Sequence, residues 1–497
     1  MSGDNSFDVV IVGGGPAGAV LATRLTENSD RRVLLVEAGP DYGDDLGNWP
    51  PQLLFSQEQP LESHSWGLHD AGNGMPLPRA RLLGGSSAVN ACYWIRGSAA
   101  DFDNWEALGN DEWGFDGLLP YFRKAETDPL GGPLHGSEGP VRVWRTEDWS
   151  KGDLAVTETA VALGLAKVDD VNGDRDQIPS VGPVPKNMVD YNRLNAVHSY
   201  LTPVRGRPNL TIRPQTQVDK VRFDGTRASG VITTTGERIH ADLVVLAAGA
   251  YFTPGILNRS GYGNETHLSE FGIEVLQHLP GVGQNLLDHP FAIDVVGGVM
   301  HPETVFGEKL QGQAVVRSRS IGSPEIDCHI YNAQYFDAED GKWMISAAVS
   351  MVNARSTGTV ALTSDDPMAL PRIEHRHYSD PGDLERMCDG IEFAQQLFDT
   401  APLADIYQPA TGLRWDTSDR DTLRSIVRER SVSTNHCSGT AKMGPSSDPL
   451  AVVDGGGRVY GADNLVVADS SVFPTCPRGN IHFPVVAVAE KIAAGLV

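Results

Sequence analysis

The chain has 497 residues, 40% hydrophobic and 21% charged, which is ordinary globular composition at a length that favours two domains over one core. A formal net charge of -24 at pH 7 opposes attraction to a phosphate backbone or an anionic membrane surface, so nucleic acid is not an expected partner. The five cysteines are scattered without a C-x-x-C pair, the N-terminus lacks a secretory pattern, and no apolar run reaches the roughly 20 residues of a membrane span; the expectation is a cytoplasmic protein with reduced thiols, no membrane span and no metal site.

The continuous run from Phe7 to Val12 ends at a glycine cluster, and Ala17 to Leu25 follow with helical spacing. A second apolar run, Arg32 to Glu37, completes a β-α-β unit, so a parallel sheet is expected at this end. Gly13, Gly15 and Gly18 occupy the three positions of G-x-G-x-x-G between the strand and the helix. Gly13 permits the tight turn, Gly15 lets the backbone approach a pyrophosphate, and Gly18 lets the helix pack closely. Pro16 and Ala17 open a helix whose N-terminus supplies free N–H groups. Glu37, followed by Ala38, ends the second strand, where a carboxylate accepts hydrogen bonds from ribose hydroxyls. These features predict dinucleotide binding without choosing between FAD and NAD.

Asp41 to Ala80, rich in Pro, Gly and Asn, reads as a loop or extended arm. Gly84, Gly85, Ser86 and Ser87 offer bare N–H groups and hydroxyls suited to an anion, although serines there also suit helix capping. Leu210 to Arg213, Val218 to Phe223, Ala228 to Thr233 and Arg238 to His240 predict a small antiparallel meander, followed by a separate strand Leu243 to Ala247 that ends in Ala248, Gly249 and Ala250. Thr253 and Pro254 predict a helix start. Beyond Pro290 the strands lengthen, as in Ile345 to Asn353 and Gly358 to Thr363, with a helix over Asp383 to Phe398. Tyr331, Tyr335 and Trp343 are candidates for an aromatic pocket there, or for ordinary core. The C-terminal segment returns to the first style, so the division is 1–145, 205–290 and 435–497 for a cofactor domain, and 146–204 and 291–434 for a substrate domain.

Two longer stretches carry a family resemblance. Arg81 to Asn90, continuing to Arg96, Gly97 and Ser98 with Asp101, Asp103 and Trp105, resembles the first signature of the glucose-methanol-choline (GMC) oxidoreductases. Gly249 to Gly263 resembles the second, with Tyr262 where the family prefers an aliphatic residue. The likeness continues through Gly281 to His289 and the C-terminal segment, and is nearest to the compact actinobacterial members. It implies an α/β FAD-binding domain of Rossmann type, discontinuous in sequence, plus an α+β substrate domain with an antiparallel sheet. It further implies FAD contacts at Arg81, Leu83, Gly84, Gly85, Ser86, Asn90, Ala91, Val218, Ala248, Gly249, Asp469, Ser470, His482, Phe483 and Pro484. Val89 stands where some relatives attach FAD through a histidine, so the cofactor is expected to be non-covalent.

The same resemblance assigns the catalytic pair. His436, in Thr434 to Thr440, matches the first catalytic histidine, and His482, in Gly479 to Pro484, aligns with the second, with Asn480 as the fallback. Oxidising an alcohol requires a base at the hydroxyl and hydride transfer to flavin N5, and two imidazoles can supply the base and a hydrogen bond that fixes the oxygen. Pro484 is expected at the first position of a helix over Val485 to Leu496, leaving His482 just before a positive helix end. Cys437 and Cys476 lie near both histidines, but zinc spacing is absent. The implied activity is oxidation of a primary or secondary alcohol, with O2 (giving H2O2) or another acceptor reoxidising the flavin. A lyase resembling the hydroxynitrile lyases and a non-catalytic flavin-binding protein remain as alternatives.

Overall fold

The first sheet is set by its most apolar strands, Ser6–Val12 and Val33–Val36, which pair in parallel; Val9 to Val12 and all of Val33–Val36 are buried. The computed structural model describes residues 6–55, 62–147, 149–173, 175, 178–304 and 312–497, so positions 56–61 of the expected arm lie outside the described residues. Seven strands form this sheet, in the order Leu210–Arg213, Val33–Val36, Ser6–Val12, Arg238–Leu246, Arg227–Thr233 and Val218–Asp224, with Leu465–Val467 also on Arg238–Leu246. Its four junctions among the strands nearest the helix Pro16–Leu25 are parallel, and the last three sequential strands form an antiparallel meander.

Two details of the predicted meander change. Leu210–Arg213 is not part of it, because it pairs in parallel with Val33–Val36 at the opposite edge. Arg238 to Leu246 is one strand rather than two: its first half pairs antiparallel with Arg227–Thr233 and its second half parallel with Leu465–Val467. The polar residues between the halves, where the sequence suggests a break, mark the change of partner.

The second sheet has eight strands, running Tyr407–Arg414, Pro290–Met300, Lys342–Met351, Cys328–Asp337, Ala314–Ser318, Ser180–Pro183 and Ala166–Lys167, with Val432–Ser433 on Pro290–Met300. It is antiparallel except at the last pair. The helix Pro381–Phe398 buries Leu384, Met387, Ile391, Ala394 and Leu397 among residues of this sheet, forming a core separate from that of the first. Thr359–Ala361, the middle of the predicted strand Gly358 to Thr363, belongs instead to a small two-stranded unit with Arg372–Glu374. Among the described residues, no helix is long and apolar enough to cross a membrane.

Candidate functional site

The glycine-rich turn is built by close backbone packing. Gly13 has φ +102°, and a Cβ there would lie 2.5 Å from the Ala247 carbonyl oxygen at the end of the neighbouring strand. A Cβ on Gly18 would lie 1.9 Å from the Gly13 carbonyl oxygen, so Gly18 fits the helix to the turn itself as well as to the sheet. Gly15 differs, because a Cβ there would meet nothing within 4 Å and would project into open space. Glu37, fully buried, accepts hydrogen bonds from the Gly14 N–H at 2.9 Å and the Gly39 N–H at 2.8 Å, and burial raises its carboxyl above the usual range. Each oxygen retains a lone pair for a further donor.

That open space is one end of a cavity of about 1160 Å³, larger than the roughly 300–1,000 Å³ of common small-molecule sites. Of the predicted cofactor residues, Gly13, Gly15, Pro16, Ala17, Glu37, Ala38, Arg81, Gly85, Ser86, Asn90, Ala91, Val218, Ala248, Gly249, Asp469, Ser470 and His482 line it. Gly18, Leu83, Gly84, Phe483 and Pro484 do not; they form the layer behind the wall. The Gly84 N–H donates to the Gly14 carbonyl at 2.8 Å, and Leu83 and Phe483 are fully buried. Phe483 stacks on Trp94 with ring centroids 4.2 Å apart. Asp469 lines the cavity, but its carboxylate is engaged inward, accepting from the Gly249 N–H, the Thr253 hydroxyl and Ser471.

His436 and His482 both line the cavity, with no hydrogen bond recorded between them. His482 is the first residue of the helix His482–Ala494, and Pro484 is its third rather than its first, so the helix starts two residues earlier than the proline suggests. The Asn90 side chain fixes the His482 tautomer. Its carbonyl oxygen accepts from the Cys92 N–H at 3.1 Å, so its amide nitrogen must donate to His482 Nδ1, also at 3.1 Å. Nδ1 is then an acceptor, and the ring proton sits on Nε2.

His436 is held in the opposite tautomer. Val432–Ser433 pairs with Phe291 and Pro290, and the Thr434 N–H donates to the His289 carbonyl, which brings the His289 and His436 rings together edge to face. Their Nδ1 atoms are 2.8 Å apart. On the other side, Tyr331 Oη donates to Asn480 Oδ1 at 3.4 Å, which turns the Asn480 amide nitrogen toward His436 Nε2 at 3.3 Å. His436 Nε2 therefore carries a lone pair and Nδ1 a proton, donated to His289. His289 in turn keeps its proton on Nε2, a buried atom directed at the Val352 backbone. Burial, reinforced by the neighbouring His289 ring, lowers His436 to about 3, and burial alone lowers His482 to about 4, so both rings are neutral at pH 7.

Sequence reasoning gave His289 no role, although it ends the segment Gly281 to His289 noted above. It also overlooked a buried network beneath the site. Arg79 donates to the Asn435 carbonyl at 2.6 Å and to Cys437 Sγ at 2.9 Å, and Asp288 accepts from the His436 N–H at 2.9 Å. These residues lack local periodicity and meet only through the fold. Tyr331 and Tyr335 line the cavity; Trp343 does not, because it pairs with Phe336 on the other face of the sheet. One grouping of metal-ligand type exists among the described residues, Glu126, Asp128 and His135, apart from this cavity. There Arg145 pairs with Asp128 at 2.5 Å and His135 bridges the carboxylates, so the cluster is compensated internally.

A Rossmann-type sheet with a glycine-rich turn, an acidic residue at the next strand end and paired imidazoles in the same cavity define a dinucleotide-dependent oxidoreductase. The GMC oxidoreductase family model matches residues 7–291 with its N-terminal part and residues 354–489 with its C-terminal part. The chain is 36% identical over 530 residues to a 5-(hydroxymethyl)furfural oxidase of Methylovorus sp., covering 99% of this chain and 98% of the relative. It is 32% identical over 547 residues to oxygen-dependent choline dehydrogenase 1 of Chromohalobacter salexigens, covering 99% and 95%. Among solved structures, pyridoxine 4-oxidase from Mesorbium loti superposes with a TM-score of 0.88 at 28% identity, covering 98% of this chain and 99% of that one. The chain belongs to the GMC oxidoreductase family. Its cofactor is FAD, and it is an FAD-dependent oxidoreductase of the alcohol-oxidising kind.

Proposed function

We propose that the enzyme oxidises a primary or secondary alcohol to the carbonyl compound, with His436 as base and His482 as hydrogen-bond donor. The observation that carries this is a pair of asparagine contacts, Asn480 to His436 Nε2 at 3.3 Å and Asn90 to His482 Nδ1 at 3.1 Å, each asparagine oriented by a second partner so that a lone pair falls on His436 Nε2 and a proton on His482 Nε2. Bound FAD supplies the hydride acceptor at its N5 atom. His436 Nε2 takes the hydroxyl proton, and its own Nδ1–H, held by His289, keeps the ring from turning. His482 Nε2–H donates to the same oxygen and stabilises the negative charge that grows as the proton leaves. Asn480, which faces the His436 lone pair in the absence of substrate, gives up that contact to the entering hydroxyl.

In this reading 1–145, 205–290 and 435–497 hold the cofactor, while 146–204 and 291–434 enclose the alcohol. Gly15 leaves room for the pyrophosphate, and Val89 on the cavity wall offers no atom for a covalent link, which supports non-covalent FAD. Two of the relatives above are named oxidases and the third oxygen-dependent, which supports O2 as acceptor, giving H2O2. The test replaces His436 or His482 by Ala. Each variant should keep the flavin spectrum while flavin reduction slows by about 10² to 10⁴ for His436. A His436→Ala enzyme that reduces FAD at the parental rate at all pH values refutes the assignment of the base.

A further inference from the structure

Among the described residues His482 has one hydrogen bond, from the Asn90 amide to Nδ1. One contact fixes a point on the imidazole but leaves its plane free to turn about that point, and the direction of the Nε2–H turns with it. A second constraint comes from behind the cavity wall. The Trp94 indole stands at 87° to the His482 ring with centroids 5.1 Å apart, and stacks on Phe483, the next residue of the same helix, at 4.2 Å and 20°. It therefore lies across the first turn of that helix, completely buried and outside the cavity lining. Edge-to-face and stacked pairs at these separations are the favoured aromatic geometries.

Trp94 is itself held at three points. Its backbone N–H donates to the Pro185 carbonyl at 2.8 Å, its carbonyl accepts from the Asn172 amide at 2.9 Å, and its indole Nε1–H donates to Glu126 Oε2 at 2.9 Å. A buried indole N–H needs an acceptor, and a neutral carbonyl would serve. Here the acceptor is a fully buried carboxylate, which makes the contact charge-assisted. That carboxylate is pinned in turn, because its other oxygen faces His135 Nδ1 at 3.1 Å and the Arg96 guanidinium at 3.6 Å. His135 has carboxylates on both nitrogens, Asp128 at 3.2 Å from Nδ1 and Asp170 at 2.7 Å from Nε2, so both nitrogens donate. The ionic cluster, although apart from the cavity, thus reaches the helix of His482 through one side chain.

We propose that Trp94 is a positioning residue for alcohol oxidation: the indole, tethered to Glu126, holds the plane of the His482 imidazole so that its Nε2–H points at the alcohol oxygen. The inference rests on the role proposed for His482 above and adds what aims it. Asn90 sets which nitrogen carries the proton, and Trp94 sets where that proton points. Because Trp94 is not on the cavity wall, it acts only through His482.

The test is a double-mutant cycle on anaerobic flavin reduction of the holoenzyme, using whichever of ethanol, cyclohexanol and benzyl alcohol reduces the parent fastest. Trp94→Phe is made in the parental chain and in a His482→Ala background; it keeps an aromatic face but has no N–H for Glu126. Loss of a whole donor to a developing oxyanion slows catalysis by roughly 10² to 10³, and a donor that is no longer aimed loses part of that, so Trp94→Phe should slow reduction in the parental chain by about tenfold. In the His482→Ala background, with no donor left to aim, it should change the rate by less than about twofold. Flavin content and the oxidised flavin spectrum should match the parent. Trp94→Tyr, which carries a hydroxyl donor, goes through the same cycle and should show the same dependence on His482 with a smaller loss; it decides the matter if Trp94→Phe does not fold. Equal slowing in both backgrounds makes Trp94 a packing residue alone and overturns the proposal, as does a parental rate in both Trp94 variants. If His482→Ala by itself reduces FAD at the parental rate, or no alcohol in the set reduces the parental flavin, the reading of His482 or of alcohol oxidation fails first and takes this inference with it.

Discussion

Replacing Asn90 by Asp tests the tautomer argument at its most sensitive point. The Cys92 N–H still finds an acceptor, but the atom facing His482 Nδ1, now 3.1 Å away, changes from donor to anion. Two unit charges about 4 Å apart interact by about 4 kcal/mol at an effective dielectric constant of ~20. At about 1.4 kcal/mol per pKa unit, that carries His482 from about 4 to about 7. The sign follows from the raised value. Below neutrality the variant ring is an imidazolium that still presents Nε2–H to the cavity. Above it, the single remaining proton stays on Nδ1 against the new carboxylate, and Nε2 becomes a lone pair. Stopped-flow flavin reduction should therefore be nearly independent of pH from about 6 to 9 in the parent, whose two rings titrate near 3 and 4. In the variant it should fall as pH rises through neutrality, by about a hundredfold, as for loss of one donor to a developing oxyanion. A variant with the parental rate and a flat profile refutes the claim that Asn90 sets the His482 proton.

Gly15→Val should yield a folded protein that retains little FAD, because the new side chain enters open cavity space; gel filtration with flavin absorbance reads it. Gly18→Ala should instead lower Tm, since its Cβ would meet the Gly13 carbonyl at 1.9 Å, and thermal melting separates the two effects. Denaturation of the parent should release all flavin as free FAD; yellow colour that stays with the precipitated polypeptide shows a covalent link and contradicts the reading of Val89.

The cofactor end of the molecule was legible because its constraints are local. Gly13, Gly15, Gly18 and Glu37 are tied to one strand-turn-helix-strand unit, and each glycine's role follows from the absence of a Cβ. The alcohol end was less so. His436 and His482 were reachable only through family resemblance, and what orients them comes from residues distant in sequence: Asn90 for His482, and His289 with Asn480 and Tyr331 for His436. No periodicity joins those positions. The sequence leaves Tyr331, Tyr335 and Trp343 between pocket and ordinary core, because alternation along a strand gives two faces without saying which is inward; the structure puts the two tyrosines on the cavity and Trp343 against the core. Residues behind the wall, such as Gly84 and Phe483, lie in family-like stretches whose residues only partly touch the cavity, and sequence does not separate the touching ones from those that support them.

The central claim is that this chain removes hydride from an alcohol. Anaerobic rapid mixing of the holoenzyme with a primary alcohol, protiated or dideuterated at the carbinol carbon, tests it most directly. The account predicts loss of the oxidised flavin absorbance with both, several-fold slower with the deuterated alcohol where chemistry limits the observed step. Flavin that stays oxidised with every alcohol tried would contradict it.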